Sequence, residues 1–379
     1  MMRCLLEVLL DTKQGWFSFA FGGLLATLLL PPLLSNDNHD NHQGEVEEDG
    51  EEGSACYVYK GRPGETVPKT VVHVVIQESV RVIRAYAFAN CPKLESVDFS
   101  SNNGIVVAIH QLAFANCQCL KAIALPDSIV HLGDAVFTGC VQLQTLKLPR
   151  HLFHVPNNLC FMCQRLKTIE PLTTSCSDLH SWSLQTIGEQ AFGFNISLER
   201  VNFPPSVQTI QAGAFEFCLS LKKVNLQNVK QCQLVSVCHR AFYSCQSLTV
   251  VGIPSTASIH TQAFAHCRWL TAIVIKTEPP ERRMVPDARS LINIENEAFD
   301  GCRALRNIFV RVDNGDGNDK DEPLLSQQGK EAWLYILTLF RDQGPLDQGT
   351  ITRHVRITSL YKVLLHHGAA GPLFSSSNA

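Results

Sequence analysis

The chain has 379 residues, of which 45% are hydrophobic and 18% are charged, and its formal net charge is −3. This apolar content is enough to bury a large core, although the charged fraction is below that of an ordinary globular protein. No cluster of lysine and arginine is present, which argues against nucleic acid as a main partner, because phosphate binding usually requires a dense basic stripe.

Residues 1–34 form an apolar leader, and residues 16–34 within it are almost wholly apolar. As a helix, this run would nearly span a bilayer, at about 1.5 Å per residue. Pro31 and Pro32 shorten its helical part, and Glu7 and Asp11 depart from the basic start of a secretory signal. Two interpretations remain open: a signal or membrane anchor, or an apolar segment that packs on the chain or has little order.

Residues 35–55 form a linker rich in acidic side chains, including Glu45, Glu47, Glu48, Asp49, Glu51 and Glu52. Acidic blocks of this kind repel themselves and remain solvated. We expect this linker to be disordered.

From residue 71 onward one motif repeats, Ala-Phe-x-x-Cys-x-x-Leu-x-x-Ile/Val-x-Leu/Phe, often followed by proline. The Phe position falls at residues 88, 114, 137, 160, 192, 215, 242, 264 and 299. The commonest spacing is 23 residues, with longer intervals where residues are inserted, which is a solenoid period. The insertions, at about 171–185, 227–237 and 277–293, are expected to emerge as loops on one face.

One repeat unit, here called a rung, contains two recognisable segments. The Leu-x-x-Ile-x-Leu stretch alternates at its end and predicts a short strand with one buried face. The Ala-Phe-x-x-Cys stretch places apolar residues three apart, which predicts a short helical turn. A single rung cannot bury its apolar face, whereas stacked rungs can do so with their strands in a parallel ladder.

These rungs resemble the BspA-like class of leucine-rich repeats, whose units carry a cysteine in this place. The resemblance covers residues 71–312 and implies a recognition surface with no common chemistry. Two rungs depart from the pattern, because Cys160 stands at a Phe position and Asn195 at a Cys position. The predicted fold is α/β: a leucine-rich-repeat solenoid of about nine rungs within residues 56–312, with a parallel strand ladder and short helical turns.

The segment beyond the repeats is expected to cover the end of the solenoid. Residues 313–322 form a polar loop, and two apolar stretches of helical character follow within residues 323–379. An open solenoid end exposes its core, so a C-terminal helical cap is the expected role. A helix pair that binds a partner is the alternative.

The chain has 15 cysteines, and eight of them repeat at the same rung position: residues 91, 117, 140, 163, 218, 245, 267 and 302. A free cysteine is a small, readily buried hydrophobe, so these eight predict a row of buried, free thiols. Cys160 and Cys163 form a C-x-x-C pair, but both occupy inward positions and no second pair exists, which argues against a metal or redox site. Asn195 heads a glycosylation sequon, but it should be buried and carry no glycan.

No catalytic motif was recognised, so we expect no enzyme, no catalytic or metal-ligating residues and no cofactor. The remaining candidate is the outward side of the strand ladder, where the central rungs are polar and basic. The candidate partner-binding residues there are Thr145, Lys147, Glu170, Arg200, Asn202, Lys223 and Asn225. Lys147, Arg200 and Lys223 are expected to meet an acidic peptide together.

The predicted function is that of a monomeric, non-catalytic scaffold that presents this strand face and the inserted loops to a protein or peptide ligand. The alternative, based on residues 16–34, is a secreted or membrane-anchored surface adhesion protein. The two hypotheses imply different locations, the cytoplasm for the first and the membrane or the exterior for the second.

Overall fold

The computed structural model describes residues 56–172, 182–226, 233–254, 256–277, 293–295, 297–305 and 307–312. The predicted leader, acidic linker, polar loop and C-terminal cap lie outside these residues, as do parts of the three insertions. All described residues belong to one compact unit, Asp49–Ala379.

The described residues form a parallel-strand β-solenoid of about eight turns, slightly fewer than the nine rungs expected. Each rung of the motif contributes one longer strand from its Leu-x-x-Ile-x-Leu stretch, as predicted. With two strands that precede the first motif, the longer strands are β1 (Cys56–Tyr59), β2 (His73–Ile76), β4 (Ser96–Asp98), β6 (Ala122–Ala124), β8 (Thr145–Lys147), β10 (Thr168–Glu170), β12 (Arg200–Asn202), β14 (Lys223–Asn225), β16 (Val250–Pro254), β18 (Ala272–Thr277) and β20 (Asn307–Val312).

A second, two-residue strand precedes each turn segment and was not predicted. Its last residue is a buried aliphatic side chain in every rung. These short strands are β3 (Val82–Ile83), β5 (Ala108–Ile109), β7 (His131–Leu132), β9 (His154–Val155), β11 (Thr186–Ile187), β13 (Thr209–Ile210), β15 (Ser236–Val237), β17 (Ser258–Ile259) and β19 (Asn293–Ile294).

The strands assemble into five parallel sheets. The longer strands form the sheets β1-β2-β4, β6-β8-β10 and β12-β14-β16-β18-β20. The short strands form β3-β5-β7 and a six-stranded sheet that runs from β9 to β19. The core lies between these two sets.

The prediction of short helical turns, and with it the α/β class, was wrong. In the described part of the chain the only helix is a 3₁₀ turn, Ser100–Asn102. Each Ala-Phe-x-x-Cys segment is a double turn with a left-handed residue two before and two after the Phe position. In the first rung these are Tyr86 (φ 63°) and Asn90 (φ 57°), and two such residues interrupt any α-helix.

Backbone hydrogen bonds explain why the turns do not become helical. The amide of Ala89 donates to Tyr86 O within its own rung, whereas the amides of Phe88 and Asn90 donate to Ala113 O and Ala115 O of the next rung. Alternate amides therefore bond to the next rung. In an α-helix each of these amides would instead donate to a carbonyl four residues earlier in the same segment. The turns thus extend the ladder of hydrogen bonds around the solenoid.

The Phe residues form a stack through the core. Phe88, Phe114 and Phe137 are fully buried and lie with ring centroids 4.9 and 5.6 Å apart. From Phe192 to Phe299 the same stacking continues at 5.2–5.3 Å. Cys160 interrupts the stack between Phe137 and Phe192, as its sequence position predicted.

The repeating cysteines are buried, as expected, and each one after the first rung bonds to the rung before it. The Cys117 thiol donates to Phe88 O at 3.3 Å, and the thiols of Cys140 and Cys163 donate to Phe114 O and Phe137 O at 3.2 and 3.1 Å. Cys218, Cys245, Cys267 and Cys302 repeat this contact at 3.2–3.3 Å. The cysteine is therefore both a core side chain and a hydrogen-bond donor that joins two rungs.

Asn195 breaks this pattern at the fifth rung. It is fully buried, and neither its amide nitrogen nor its carbonyl oxygen has a hydrogen-bond partner. A buried polar group without a partner costs about 1–3 kcal/mol. The same burial leaves the sequon at Asn195 facing the core.

We predict that Asn195→Cys raises the free energy of unfolding by about 1–3 kcal/mol, because a thiol there removes the buried amide and supplies the missing donor. The reciprocal change Cys218→Asn should lower it by a similar amount. Thermal and urea unfolding followed by circular dichroism measure both. A less stable Asn195→Cys protein would show that the buried amide is well accommodated.

The Phe stack makes a second stability prediction. Phe137→Ala should cost roughly 3–5 kcal/mol through lost burial and the cavity left in the stack. Phe153 is 62% exposed, so Phe153→Ala is the matched control and should change stability by less than about 0.5 kcal/mol. Equal effects in urea unfolding would mean that the rungs are in a different register.

Candidate binding face

The strand face comprises the outward residues of the longer strands. In β6, β8, β10 and β12 the middle residue is buried and the residues on either side are exposed or half-buried. The predicted alternation is therefore present across these central strands. Within each of these strands it places the candidate residues on the side opposite the buried middle residue.

Three of the seven candidate residues lie on the sheet β6-β8-β10. Thr145 and Lys147 on β8 are half-buried, and the parallel register pairs Lys147 with Glu170 on β10. Opposite charges on adjacent strands attract each other, so Lys147 already has a carboxylate neighbour in the folded chain.

The other four candidate residues lie on β12 and β14. The register pairs Arg200 with Lys223 and Asn202 with Asn225. Arg200 and Lys223 are exposed, and neighbouring strands are about 4.8 Å apart. The adjacent Glu199 forms an ion pair with Lys222 at 3.1 Å and is therefore already neutralised. Two like charges thus stand side by side, and no ion pair to either is found among the described residues.

The two groups of candidate residues belong to different sheets. β10 ends the first sheet and β12 begins the second, and residues 173–181 between them lie outside the described residues. Asn202 N donates to Leu172 O at 2.7 Å, which joins β12 to the segment that follows β10. The meeting of Lys147 with Arg200 and Lys223 at one ligand stays a prediction.

Apolar residues continue the strand face beyond β14. Lys223 pairs with Val250 on β16, and Val250 is 44% exposed. Gly252 pairs with the half-buried Val274 on β18, whereas the neighbouring Ala272, expected to face outward, is buried. A positive pair is therefore followed directly by a small apolar surface.

Comparison with known protein families agrees with the geometry of the rungs. The family model described as BspA type leucine rich repeat region matches six copies, over residues 69–182 and 174–279, which together exceed half of the chain. The chain belongs to the BspA-type leucine-rich repeats. The resemblance inferred from the Ala-Phe-x-x-Cys rungs is thereby confirmed. No curated protein matches the chain.

Solved structures of similar fold are bacterial. A leucine-rich repeat protein from Eubacterium ventriosum is 22% identical with a TM-score of 0.38, over 45% of this chain and 42% of that protein. One from Bacteroides ovatus is 22% identical with a TM-score of 0.34, over 63% of this chain and 79% of that one. A leucine rich cell surface protein from Faecalibacterium prausnitzii is 19% identical with a TM-score of 0.31, over 72% and 92%. These similarities concern the repeat fold alone.

The C-x-x-C pair lies in the core of this BspA-type solenoid. Cys160 and Cys163 are fully buried free thiols. Burial raises the pKa of Cys163 well above its usual value, and the contact with Cys160 raises it further. A thiolate is the reactive and metal-binding form, so this environment opposes redox or metal chemistry. In the described ranges, no group of three or more His, Cys, Asp or Glu side chains is arranged to hold a metal ion.

The described residues also contain no helix long and apolar enough to cross a membrane. The apolar residues 16–34 lie outside them.

The structure brings together a polar and aromatic cluster on the turn segments that the sequence did not reveal. Glu216 is almost fully buried, and its carboxylate accepts a hydrogen bond from Gln190 Nε2 at 2.9 Å. The Arg240 guanidinium lies 3.9 Å from the centre of the Tyr243 ring. Burial raises the pKa of Glu216 to about 7, although Arg240 and the Gln190 hydrogen bond act to lower it.

This pKa predicts a dependence of stability on pH. The folded chain holds the Glu216 proton more tightly than the unfolded chain does. The stabilisation that protonated Glu216 adds to the free energy of unfolding is therefore full below about pH 4.5 and is lost as pH rises towards 7. Glu216→Gln should abolish this loss, which is roughly 3 kcal/mol at most. The measurement is the difference in free energy of unfolding between wild type and variant from pH 4 to 8.

The control for this experiment is Glu199→Gln, an exposed carboxylate paired with Lys222. The difference in free energy of unfolding between wild type and Glu199→Gln should not fall steadily from pH 4 to 8. If Glu216→Gln and Glu199→Gln gave the same profile, Glu216 would titrate as an ordinary surface acid.

Proposed function

We propose that this chain is a non-catalytic scaffold that binds a protein or peptide ligand on its strand face. BspA-type leucine-rich repeats are generally protein-interaction or surface proteins, which supports the class of function. The observation that carries the proposal is the in-register pair Arg200 and Lys223, two exposed like charges without an ion pair among the described residues.

The ligand that fits this pair is an extended acidic peptide. Like charges opposite each other on adjacent strands destabilise a sheet, and a bound carboxylate would relieve their repulsion. Each bond from a carboxylate to Arg200 or Lys223 would be charge-assisted and therefore stronger than a neutral one. An apolar residue next in the peptide could cover Val250, which adjoins Lys223.

The candidate residues around the pair have graded roles in this proposal. Asn202 and Asn225 lie in register beside it, and Asn202 offers an amide that can bond a peptide backbone. Thr145, Lys147 and Glu170 lie on the neighbouring sheet, where the register places Glu170 beside Lys147. We therefore expect Arg200 and Lys223 to contribute more binding energy than Lys147.

The experiment is affinity capture on immobilised wild type and on the variant Lys147→Glu/Arg200→Glu/Lys223→Glu. At least one partner should be captured tenfold less by the variant, because three favourable charges become repulsive. The matched control is Lys93→Glu/Arg150→Glu/Arg165→Glu, which makes the same change in net charge at exposed sites away from the strand face. A folded strand-face variant that retains every partner would refute the proposal.

A surface adhesion protein remains the second candidate, and residues 16–34 are its supporting feature. Synthesis of the full chain with microsomes, followed by protease digestion, distinguishes the two. Protection of the solenoid would support translocation, and complete digestion would remove this candidate.

A further inference from the structure

An exposed tryptophan lies on the eighth rung. Trp269 is 67% exposed and lies between the buried residues Cys267 and Leu270. The same place in the three preceding rungs is occupied by Ser197, Ser220 and Ser247, all half-buried. An indole at this place adds nothing to the core, so its large apolar surface is available to another molecule.

Two arginines flank this indole at equivalent positions. Arg268 precedes Trp269, and Arg303 holds the place of Arg268 on the next rung. Both are exposed, and strands β18 and β20 of these rungs are paired in register, so the two positions lie about 4.8 Å apart along the ladder. Among the described residues, neither arginine has an ion pair. We call Arg268, Trp269 and Arg303 the Arg–Trp patch.

The surroundings of His266 support a concentration of positive charge here. Its ring packs edge-on against Tyr243, with centroids 5.1 Å apart. Burial is the largest cause that lowers the pKa of His266. The charges of Arg268, Arg240 and Arg303 lower this pKa further, whereas Asp300 acts to raise it. Three guanidinium groups therefore act on one imidazole at this end of the solenoid.

The carboxylates on the rung of Arg303 limit what can bind. Glu297 accepts a hydrogen bond from Gln262 Nε2 at 3.0 Å, and Asp300 lies close to His266. Long polyanions would meet these carboxylates as well as the arginines. A peptide with one or two acidic residues avoids that repulsion, so the patch suits a protein segment better than nucleic acid.

We propose that the Arg–Trp patch is a second docking site, which binds an acidic peptide segment carrying one apolar side chain between two carboxylates. The carboxylates would contact Arg268 and Arg303, and the apolar side chain would cover the indole of Trp269. Tryptophan and arginine are the residue types that most often dominate binding energy at protein interfaces. The inference rests on the scaffold function proposed above but uses a different surface.

The test uses a fluorescein-labelled peptide with a Glu-Leu-Glu core and the full-length chain. Its anisotropy should rise to saturation, and tryptophan emission should shift to shorter wavelength as the indole is covered. Binding should weaken when sodium chloride is raised from about 0.05 to 0.5 M, because salt screens exposed charges. A peptide with a Lys-Leu-Lys core should not bind.

The variants separate this site from the strand face. Trp269→Ser, which installs the residue of the preceding rungs, should fold normally and lose the emission shift and at least tenfold in affinity. Arg268→Glu/Arg303→Glu should lose as much, whereas Arg165→Glu, an exposed arginine on the fourth rung, should bind as wild type. Arg200→Glu/Lys223→Glu should also bind this peptide normally.

Four outcomes would overturn the inference: no saturable binding of the acidic peptide, unchanged affinity in Trp269→Ser, unchanged affinity in Arg268→Glu/Arg303→Glu, or tighter binding of an oligothymidylate through the same residues. Loss of binding only in Arg200→Glu/Lys223→Glu would assign the peptide to the strand face. That result would refute the second site while supporting the proposed function. If the peptide binds at the Arg–Trp patch while the strand-face variant keeps every partner, the second site is supported and the proposed function is refuted.

Discussion

The carbonyl oxygen at the Phe position is the group on which the solenoid depends. It accepts the backbone amide of the cysteine three residues later in its own rung and the thiol of the cysteine in the next rung. Phe88 O, for example, accepts from Cys91 N at 3.2 Å and from the Cys117 thiol at 3.3 Å. A buried carbonyl has two lone pairs to satisfy, and here one serves the turn and the other joins the rungs.

This shared acceptor explains why Phe and Cys recur together. The phenylalanine ring stacks on the ring of the next rung, which places the two turn segments at ring-stacking distance, 4.9 Å between Phe88 and Phe114. At that separation a thiol on the next rung reaches the carbonyl, whereas a longer polar side chain does not fit the same geometry. Asn195 illustrates the point, since its amide is buried at the thiol position and has no partner. The rung before it has Cys160 in place of the phenylalanine, so the ring stack and the thiol contact are altered at neighbouring rungs.

The repeat and its longer strands could be predicted because period and alternation are properties of the sequence alone. The helical turn was predicted wrongly because apolar residues three apart fit both a helix and a double turn. What distinguishes them is the left-handed backbone at positions such as Asn90 and Asn116, and other rungs use Phe194 or Phe217 there, so residue type gave little signal. The short strands had a usable signal that was missed. An aliphatic residue five before the Phe position, such as Ile83 or Ile109, recurs in every rung and is buried each time.

The strand face could be predicted only as a list of outward residues. Alternation gives the side of the ladder for Lys147, Arg200 and Lys223, but it cannot tell that β10 and β12 end and begin separate sheets. That division follows from the insertion near residue 171, whose effect on pairing is a matter of three-dimensional geometry. The burial of Glu216 beside Arg240 was equally inaccessible, because the position after the Phe holds residues as different as Ala89, Phe161 and Tyr243 in other rungs.

A solenoid of this kind separates the residues that fold it from the residues that can bind. The inward positions are taken by the ring stack, the thiols and the aliphatic strand residues, so they leave little freedom for recognition. The outward positions are not needed for the core, and some carry small polar residues or charges that are paired, as Lys121 is with Glu95. Arg200 opposite Lys223, and Trp269 between Arg268 and Arg303, are different: each places repulsion or exposed apolar area where folding gains nothing from it. Since Ser247 occupies the equivalent place on the preceding rung, the fold does not require an indole at Trp269. Contact with another molecule would offset this cost, which is the reason for placing both proposed sites there.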